Sequence, residues 1–511
     1  MAVDKVIRLH PDDNVVIARA ALPAGLSIAG ENLITAEPIP AGHKLAVRAL
    51  APGDPVLRYG QIIGFATQPV APGRHLHTHN CGMGDFQRDY AFGSAVKPTD
   101  YIQPQASFMG ILRPDGRVAT RNYIGILTTV NCSATAAKYV ADAFRANPFT
   151  GSNPLADYPN VDGVVALTHK LGCGLNTQGE GIEVLRRTIA GYARHPNFHS
   201  VIVIGLGCEG NQIDALLEAE GLQRGPHLHT LTIQETGGTE KTVRAAMAMV
   251  QKLLPEANAV QRQKLPVSHL TIGLQCGGSD GYSGISANPA LGVASDLIVR
   301  HGGTVILSET PETYGAEHLL TRRAVAPQVG QKLVDLMAWW ADYTARNGGE
   351  MDNNPSPGNK AGGITTILEK SLGAAAKAGS TNLVEVYRYA EAATARGFVF
   401  MDSPGYDPVS ATGQVASGAN LVCFTTGRGS VFGCRPAPSL KLATNSELYA
   451  RMTEDMDIDC GGVVDGQDNL EQLGRRIFDL ILATASGQPS KSEKLGFGEE
   501  EFAPWSIGAV M

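Results

Sequence analysis

The stretch VIVIGLGCEGNQ, residues 201–212, decides the fold. Four β-branched apolar residues, Val201 to Ile204, run without transition into glycines at 205, 207 and 210, with Cys208 and Glu209 between them. So short and uniformly apolar a run predicts a strand buried on both faces, and residues 214–220 supply a helical segment directly after it. Outward from this point the same design recurs. Residues 123–130 run into Asn131 and Cys132, 164–167 into His169 and Cys173, and 270–274 into Cys276 and Asp280. Residues 305–307 end at Glu309, 398–400 at Asp402 and 421–424 near Arg428, with another helical segment at 182–193. The pattern predicts an α/β region of mainly parallel sheets in two subdomains. Ligands of such sheets sit beyond the carboxyl ends of the strands, which is where all these polar loops fall.

The first 97 residues read differently. Short β-rich pieces at 14–18, 44–49, 56–59 and 62–66 alternate with Pro-Gly turns, which predicts a small all-β domain over 1–97. A proline-bearing joint at 98–104 separates it from α/β domains expected over 106–262 and 266–511. Residues 325–348 predict one amphipathic helix with Trp339, Trp340 and Tyr343 in its packing, and 352–363 (DNNPSPGNKAGG) an irregular loop.

Composition narrows the partners. A chain of 511 residues exceeds one ordinary core. A net charge of −7, with no local basic run, leaves no footprint for nucleic acid. No segment reaches the ~18 apolar residues that span a bilayer, and the N-terminus lacks an apolar signal core, so neither a membrane partner nor export is expected and the cytoplasm is. There the eight cysteines stay reduced, which favours metal ligation or thiol chemistry over disulfides.

Four of those cysteines, Cys132, Cys173, Cys208 and Cys276, follow strands within glycine-flanked turns, whereas Cys423 lies inside a strand as a core residue would. Turn thiols are open to a metal, and soft thiolates favour iron, iron–sulfur or zinc over magnesium. His75, His77 and His79 alternate in RHLHTHN, so an extended strand would point all three to one face, toward a metal or an anionic substrate. His169, Glu209, Asp280, Glu309, Glu312 and Lys360 are the candidate acids, bases and carboxylate binders. Residues 205–210 also spell G-x-G-x-x-G before a helix, and Glu235 follows another strand, so a dinucleotide site is a rival reading. Against it, the Glu209 carboxylate would compete for the amides that should receive pyrophosphate. A non-catalytic sugar-acid-binding protein is a third class.

GHKLAVRAL (42–50) and RYGQIIGFA (58–66) resemble a SAF (β-clip) domain. Together with THKLGCG (168–174), VIVIGLGCEGNQ, QCGGSDGYSGISANPALG (275–292), NPSPGNKAGGITT (354–366) and FTTGRG (424–429), they make nearly the whole chain similar to the altronate and galactarate dehydratases. LHTHN (76–80) and ETPETYGAEHLL (309–320) look closer to the altronate members, while related members act on other hydroxy acids such as sulfolactate. The resemblance implies a hydro-lyase of hexuronate catabolism that turns D-altronate into 2-dehydro-3-deoxy-D-gluconate. It also implies iron, as Fe2+ or an iron–sulfur cluster, with Mn2+ as an alternative. Residue chemistry and loop position then suggest the roles. Cys173, Cys208 and Cys276, with Cys132, are expected around the metal. His169 or Lys360 is expected as base, with Glu209, Asp280 and Glu309 in acid–base work. Arg428 or Lys360 would hold the carboxylate, with Asn359, Ser279, His77 and His79 binding substrate. A homo-oligomer is compatible with this reading.

Overall fold

The computed structural model describes residues 4–508 except Gln87. Its first part is antiparallel, as the short pieces between turns predict. Val6–Ile7, Val15–Ala18, Lys44–Ala46 and His75–Leu76 form one sheet, and Pro55–Arg58, Gln61–Ala66 and Cys81–Gly82 form another. Two parallel sheets follow. The first contains β1 (Tyr123–Thr128), β2 (Gly163–Leu167), β3 (Phe198–Gly205) and β4 (Leu228–Thr232), in the order β2-β1-β3-β4. The second contains β5 (Thr271–Cys276), β6 (Thr304–Leu307), β7 (Leu383–Tyr387), β8 (Phe398–Met401), β9 (Leu421–Thr426), β10 (Ser439–Ala443) and β11 (Ile458–Asp459). Its order is β7-β8-β6-β5-β9-β10-β11. Every residue of β1, β3 and β9 is buried, which explains why these strands read as unbroken apolar runs rather than alternating ones. The strands β7, β10 and β11 were not foreseen: β7 carries Glu385 and β10 carries Lys441, which break the apolar pattern.

Ser107–Leu112 pairs antiparallel with Gln263–Pro266, so the chain enters and leaves the first parallel sheet through one ribbon. In each sheet the strand order reverses once. The chain runs from β1 outward to β2 and returns to β3 on the other side; likewise β5 is followed on one side by β6 and on the other, later, by β9. Crevices therefore open beyond the carboxyl ends of β1/β3 and of β5/β9.

The helix expected at 325–348 spans Pro327–Arg346. Trp340 is buried and its indole Nε1 donates to Asp402 Oδ1 at 2.8 Å, while Trp339 stacks on Tyr343. The stretch expected as irregular contains a short helix, Pro357–Ala361. Ser356 caps it by accepting from Asn359 N, Asn359 Oδ1 accepts in return from Ser356 N, and Pro357 needs no partner at the first position. Among the described residues no helix is long and apolar enough to cross a membrane.

The small domain is locked to the second sheet by buried charge. Lys44 and Arg58, both fully buried, reach Glu369 on the helix Ile367–Ala375. Lys44 Nζ donates to both carboxylate oxygens, at 2.9 and 2.8 Å, and to Gly363 O at 2.5 Å; Arg58 also donates to Glu369 Oε1, and to Gly281 O at 2.7 Å. Burial alone would raise the Glu369 pKa, but the two cations outweigh it and hold it down to about 2. Glu369 therefore contributes stability that is full above its unfolded value near 4.5 and is lost as pH falls from there toward 2. Glu369→Gln leaves two buried cations without a counter-charge and should cost about 3–5 kcal/mol in urea unfolding at neutral pH. It should also flatten the acid limb of the stability curve; a wild-type stability and acid limb in this variant would show that the triad does not clamp the domains.

Candidate active site

The crevice at β5/β9 is built from glycine-rich loops that touch through their backbones. Gly427 N and Arg428 N both donate to Gly278 O, at 3.0 and 2.9 Å, and Gly277 N donates to Thr425 O at 3.1 Å. A Cβ at Gly281 would collide with the carbonyl oxygen of Gly42, so only glycine lets the small domain approach this loop. Asn359 Nδ2 donates to Ser279 O at 2.9 Å and brings the Pro357–Ala361 helix to the same place.

Over these loops the small domain presents three imidazoles. His43 lies 4.8 Å from His77 and 5.1 Å from His75, centroid to centroid, and His75 stacks on His77 at 5.4 Å. His43 Nε2 is 3.3 Å from Ala361 O, which can only accept, so its proton sits there and its Nδ1 lone pair faces His75 Nε2 at 3.0 Å. One ligand atom from each ring lies within 4.8 Å of those from the other two. Burial, reinforced by neighbouring positive charge, pushes all three pKa values down, to about 4 for His75 and about 3 for His77. The rings are therefore neutral; the His43 Nδ1 lone pair is shared with His75 Nε2, and His77 Nδ1 is buried with no hydrogen-bond partner among the described residues. A divalent transition metal fits this donor set.

The expected triplet thus changes by one member. The strand stops at Leu76 and the chain turns back, with Asn80 N and Cys81 N donating to His77 O, so His79 is left exposed at the rim, 5.5 Å from His75. His43, across the sheet, takes its place. It was missed because it precedes its strand by one residue, and only the antiparallel Lys44↔Leu76 register brings it opposite His77.

Of the other expected residues, Lys360, Arg428 and Ser279 do meet here. Lys360 is half-buried and Arg428 exposed, and neither forms an ion pair among the described residues; Lys360 precedes Ala361, whose carbonyl faces His43, and Arg428 lies on the loop that bonds Gly278. Asn359 is turned inward as a cap and bracket. Asp280 is also turned inward: it accepts from Tyr282 N, Ser283 Oγ, Thr444 Oγ1 and Asn445 Nδ2 at 2.9–3.1 Å, so it ties its own loop to that of Thr444 and Asn445 rather than facing a substrate.

Three further expectations are corrected in the same sense. His169 Nε2 donates to Thr128 O at 2.9 Å and its Nδ1 accepts from Leu171 N at 3.1 Å; with both nitrogens engaged it is a scaffold, not a free base. Glu209 accepts from Thr129 Oγ1 at 2.7 Å, Leu206 N at 3.1 Å and Gly207 N at 2.6 Å. It occupies the very amides a pyrophosphate would need, which removes the dinucleotide reading of residues 205–210. Nor do the four turn cysteines form one ligand set among the described residues. Cys276 is buried within 4.8 Å of Glu309 and Glu312, while Cys132, Cys173 and Cys208 are exposed at the other crevice. The Cys276 group suits a cation poorly, because Lys377 Nζ already pairs with Glu309 at 2.8 Å and Lys370 Nζ with Glu312 at 2.7 Å.

Known proteins agree with this architecture. The chain matches the altronate/galactarate dehydratase SAF domain over residues 4–84, the D-galactarate dehydratase/altronate hydrolase second domain over 110–258, and the D-galactarate/altronate dehydratase C-terminal domain over 267–510. It is 34% identical to altronate dehydratase of Bacillus subtilis, over 96% of this chain and 97% of that one. The chain belongs to the altronate/galactarate dehydratase family, a family of hydro-lyases. Galactarate dehydratase (L-threo-forming) of Escherichia coli is 37% identical, over 94% of this chain and 93% of its own. The (2R)-sulfolactate sulfo-lyase subunit beta of Chromohalobacter salexigens is 32% identical, over 77% of this family member and 96% of its own length.

The revised triplet predicts that His43→Ala and His77→Ala each lower the affinity for a divalent transition metal at least tenfold in equilibrium dialysis. His79→Ala should retain affinity within about twofold, as a residue outside the ligand set would. The opposite ranking, with His79 essential and His43 dispensable, would restore the extended-strand reading.

Proposed function

We propose that this dehydratase removes water from D-altronate to give 2-dehydro-3-deoxy-D-gluconate, in the β5/β9 crevice under the imidazole face. The observation that supports the placement is the group of three neutral imidazoles at the domain junction, next to the loops that carry Lys360 and Arg428. The LHTHN string supports altronate; similar identity to altronate and galactarate dehydratases leaves galactarate as the alternative substrate.

In the reaction a base takes the proton at C2, the C3 hydroxyl departs with a proton as water, and the enol ketonises, with no net redox change. Arg428, at the solvent side of the crevice, offers a fork for the substrate carboxylate. The neutral amine form of Lys360 is the candidate proton acceptor, since His169 and Asp280 are spent on structure. His43, His75 and His77 would hold the metal, for which iron is proposed with manganese as the alternative. When bound, the ion supplies Lewis-acid stabilisation of the leaving hydroxyl and the enediolate. The Gly42/Gly281 contact holds the small domain against the loop of the crevice.

Keto-acid formation from D-altronate and from galactarate, followed by NMR on metal-loaded enzyme, tests the reading. Altronate should be favoured at least about tenfold in kcat/KM, or ~1.4 kcal/mol. Preference for galactarate would move the substrate within the family, and turnover of neither would overturn the proposal. Lys360→Met should lower kcat by about 10²–10⁴, and Arg428→Gln should act mainly on KM.

A further inference from the structure

The C3 hydroxyl must leave with a proton, and Lys360, as base, cannot be its source. A second group of titratable side chains lies beyond the carboxyl ends of β5, β6 and β8. Lys377 Nζ donates to Glu309 Oε2 at 2.8 Å and Lys370 Nζ to Glu312 Oε1 at 2.7 Å. Asn354 joins the second pair: its Nδ2 donates to Glu312 Oε1 at 2.9 Å and its Oδ1 accepts from Lys370 Nζ at 2.5 Å. The Cys276 thiol faces both acids, 3.7 Å from Glu309 and 3.6 Å from Glu312, and burial pushes its pKa up, so it adds no negative charge. Glu309 Oε1 is buried with no partner among the described residues, so the two lysines do not saturate even the two glutamates.

The third acid is Asp407, at the first position of the helix Asp407–Ala416. Its carboxyl lies against Gly277, where a Cβ would collide with Asp407 Oδ2. At the next residue, Gly278, a Cβ would stand 3.3 Å from the Arg428 Cβ. Asp407 and Arg428 therefore flank consecutive residues of one crevice loop. Gly405 presses the segment leading to Asp407 onto the lysine–glutamate group, since a Cβ there would lie 2.8 Å from Asn354 Nδ2 and 3.0 Å from Glu312 Oε1. Asp407 itself is half-buried, and among the described residues no side chain pairs with it.

Three carboxyls thus share two ammonium groups. A carboxylate left without a counter-charge in a desolvated setting keeps its proton instead. The two glutamates hold the lysines, so the proton falls to Asp407. Burial, with the charges of Glu309 and Glu312, raises its pKa to about 8 against the pull of Lys370 and Lys377. The dipole of its own helix also favours the anion, but by only about 0.3–1 kcal/mol.

We propose that Asp407 is the acid of the dehydration, giving its carboxyl proton to the C3 hydroxyl as the C3–O bond breaks and the bonding pair leaves with the oxygen as water. The inference rests on the dehydratase reading of this crevice. Lys360 meanwhile holds the C2 proton, and exchange of one proton with solvent at each group restores both, with no oxidant or reductant involved. Glu309, Glu312 and their lysines act through Asp407, as positioning residues that set its hold on the proton.

In the metal-loaded full chain, Asp407→Asn should lower kcat for D-altronate by about 10²–10⁴ with little change in KM. It should also erase the fall in kcat that deprotonation imposes on the wild type above pH about 8. With 3-deoxy-3-fluoro-D-altronate, whose fluoride leaves without an acid, the variant should stay within about fivefold of wild type. Infrared difference spectra between wild type and Asp407→Asn at neutral pH need no substrate, and should show the stretch of an un-ionised carboxyl lost in the variant. A wild-type kcat in Asp407→Asn would overturn the assignment, and so would an equal loss on the fluoro acid, which marks a structural role. A difference spectrum showing an ionised carboxylate would overturn it even if the wild type turned over neither sugar acid, a result that by itself strikes only the substrate.

Discussion

The site depends on one buried ion triad. Lys44 and Arg58 come from the small domain and Glu369 from the second parallel sheet's helix layer, and none of the three has solvent to fall back on. Desolvating three charges costs several kcal/mol each, so the arrangement holds only while all partners are present and aligned. That demand fixes geometry. The same two cations bond the carbonyls of Gly363 and Gly281, the loops that frame the crevice, and His43 is the residue next to Lys44. The imidazole face is thus positioned by a clamp whose failure would separate the three histidines from the loops of the β5/β9 crevice.

The two crevices arise from the same topological rule but are furnished differently. At β5/β9 the strand ends give way to glycines, because a second domain must approach within backbone contact, and the reactive groups come partly from that domain. At β1/β3 the loops leave their own cysteines, Cys132, Cys173 and Cys208, exposed. The thiol-bearing domain is entered and left through a short antiparallel ribbon, Ser107–Leu112 with Gln263–Pro266, and packs on the second sheet through one shared core. Buried polar residues serve as brackets in both places, Asp280 and Asn359 in one, Glu209 and His169 in the other.

Much of this was legible in the sequence. The abrupt passage from apolar run to polar loop located seven parallel strands, and the turn-rich first segment announced its antiparallel sheets. The site was legible as a set of loops and less so as a set of roles. A polar residue after a strand reads alike whether its side chain faces a ligand or folds back on backbone amides, and Asp280, His169 and Glu209 all fold back. Cys276 ends β5 and points into a core already holding two Lys–Glu pairs, a burial that a glycine-flanked turn does not reveal. His79 was taken for His43 because period-2 alternation holds only as far as the strand does, and this one ends at Leu76. The Ser356-to-Asn359 capping box was readable but hidden among prolines and glycines that argue for a loop.

The account stands most directly on where a catalytic metal binds. Anomalous diffraction from crystals grown with Mn2+ and a sugar acid locates that ion without reference to activity. The account predicts a peak enclosed by His43, His75 and His77, with the acid beside Lys360 and Arg428; a peak at Cys276, Glu309 and Glu312 instead, with the imidazoles empty, would contradict it.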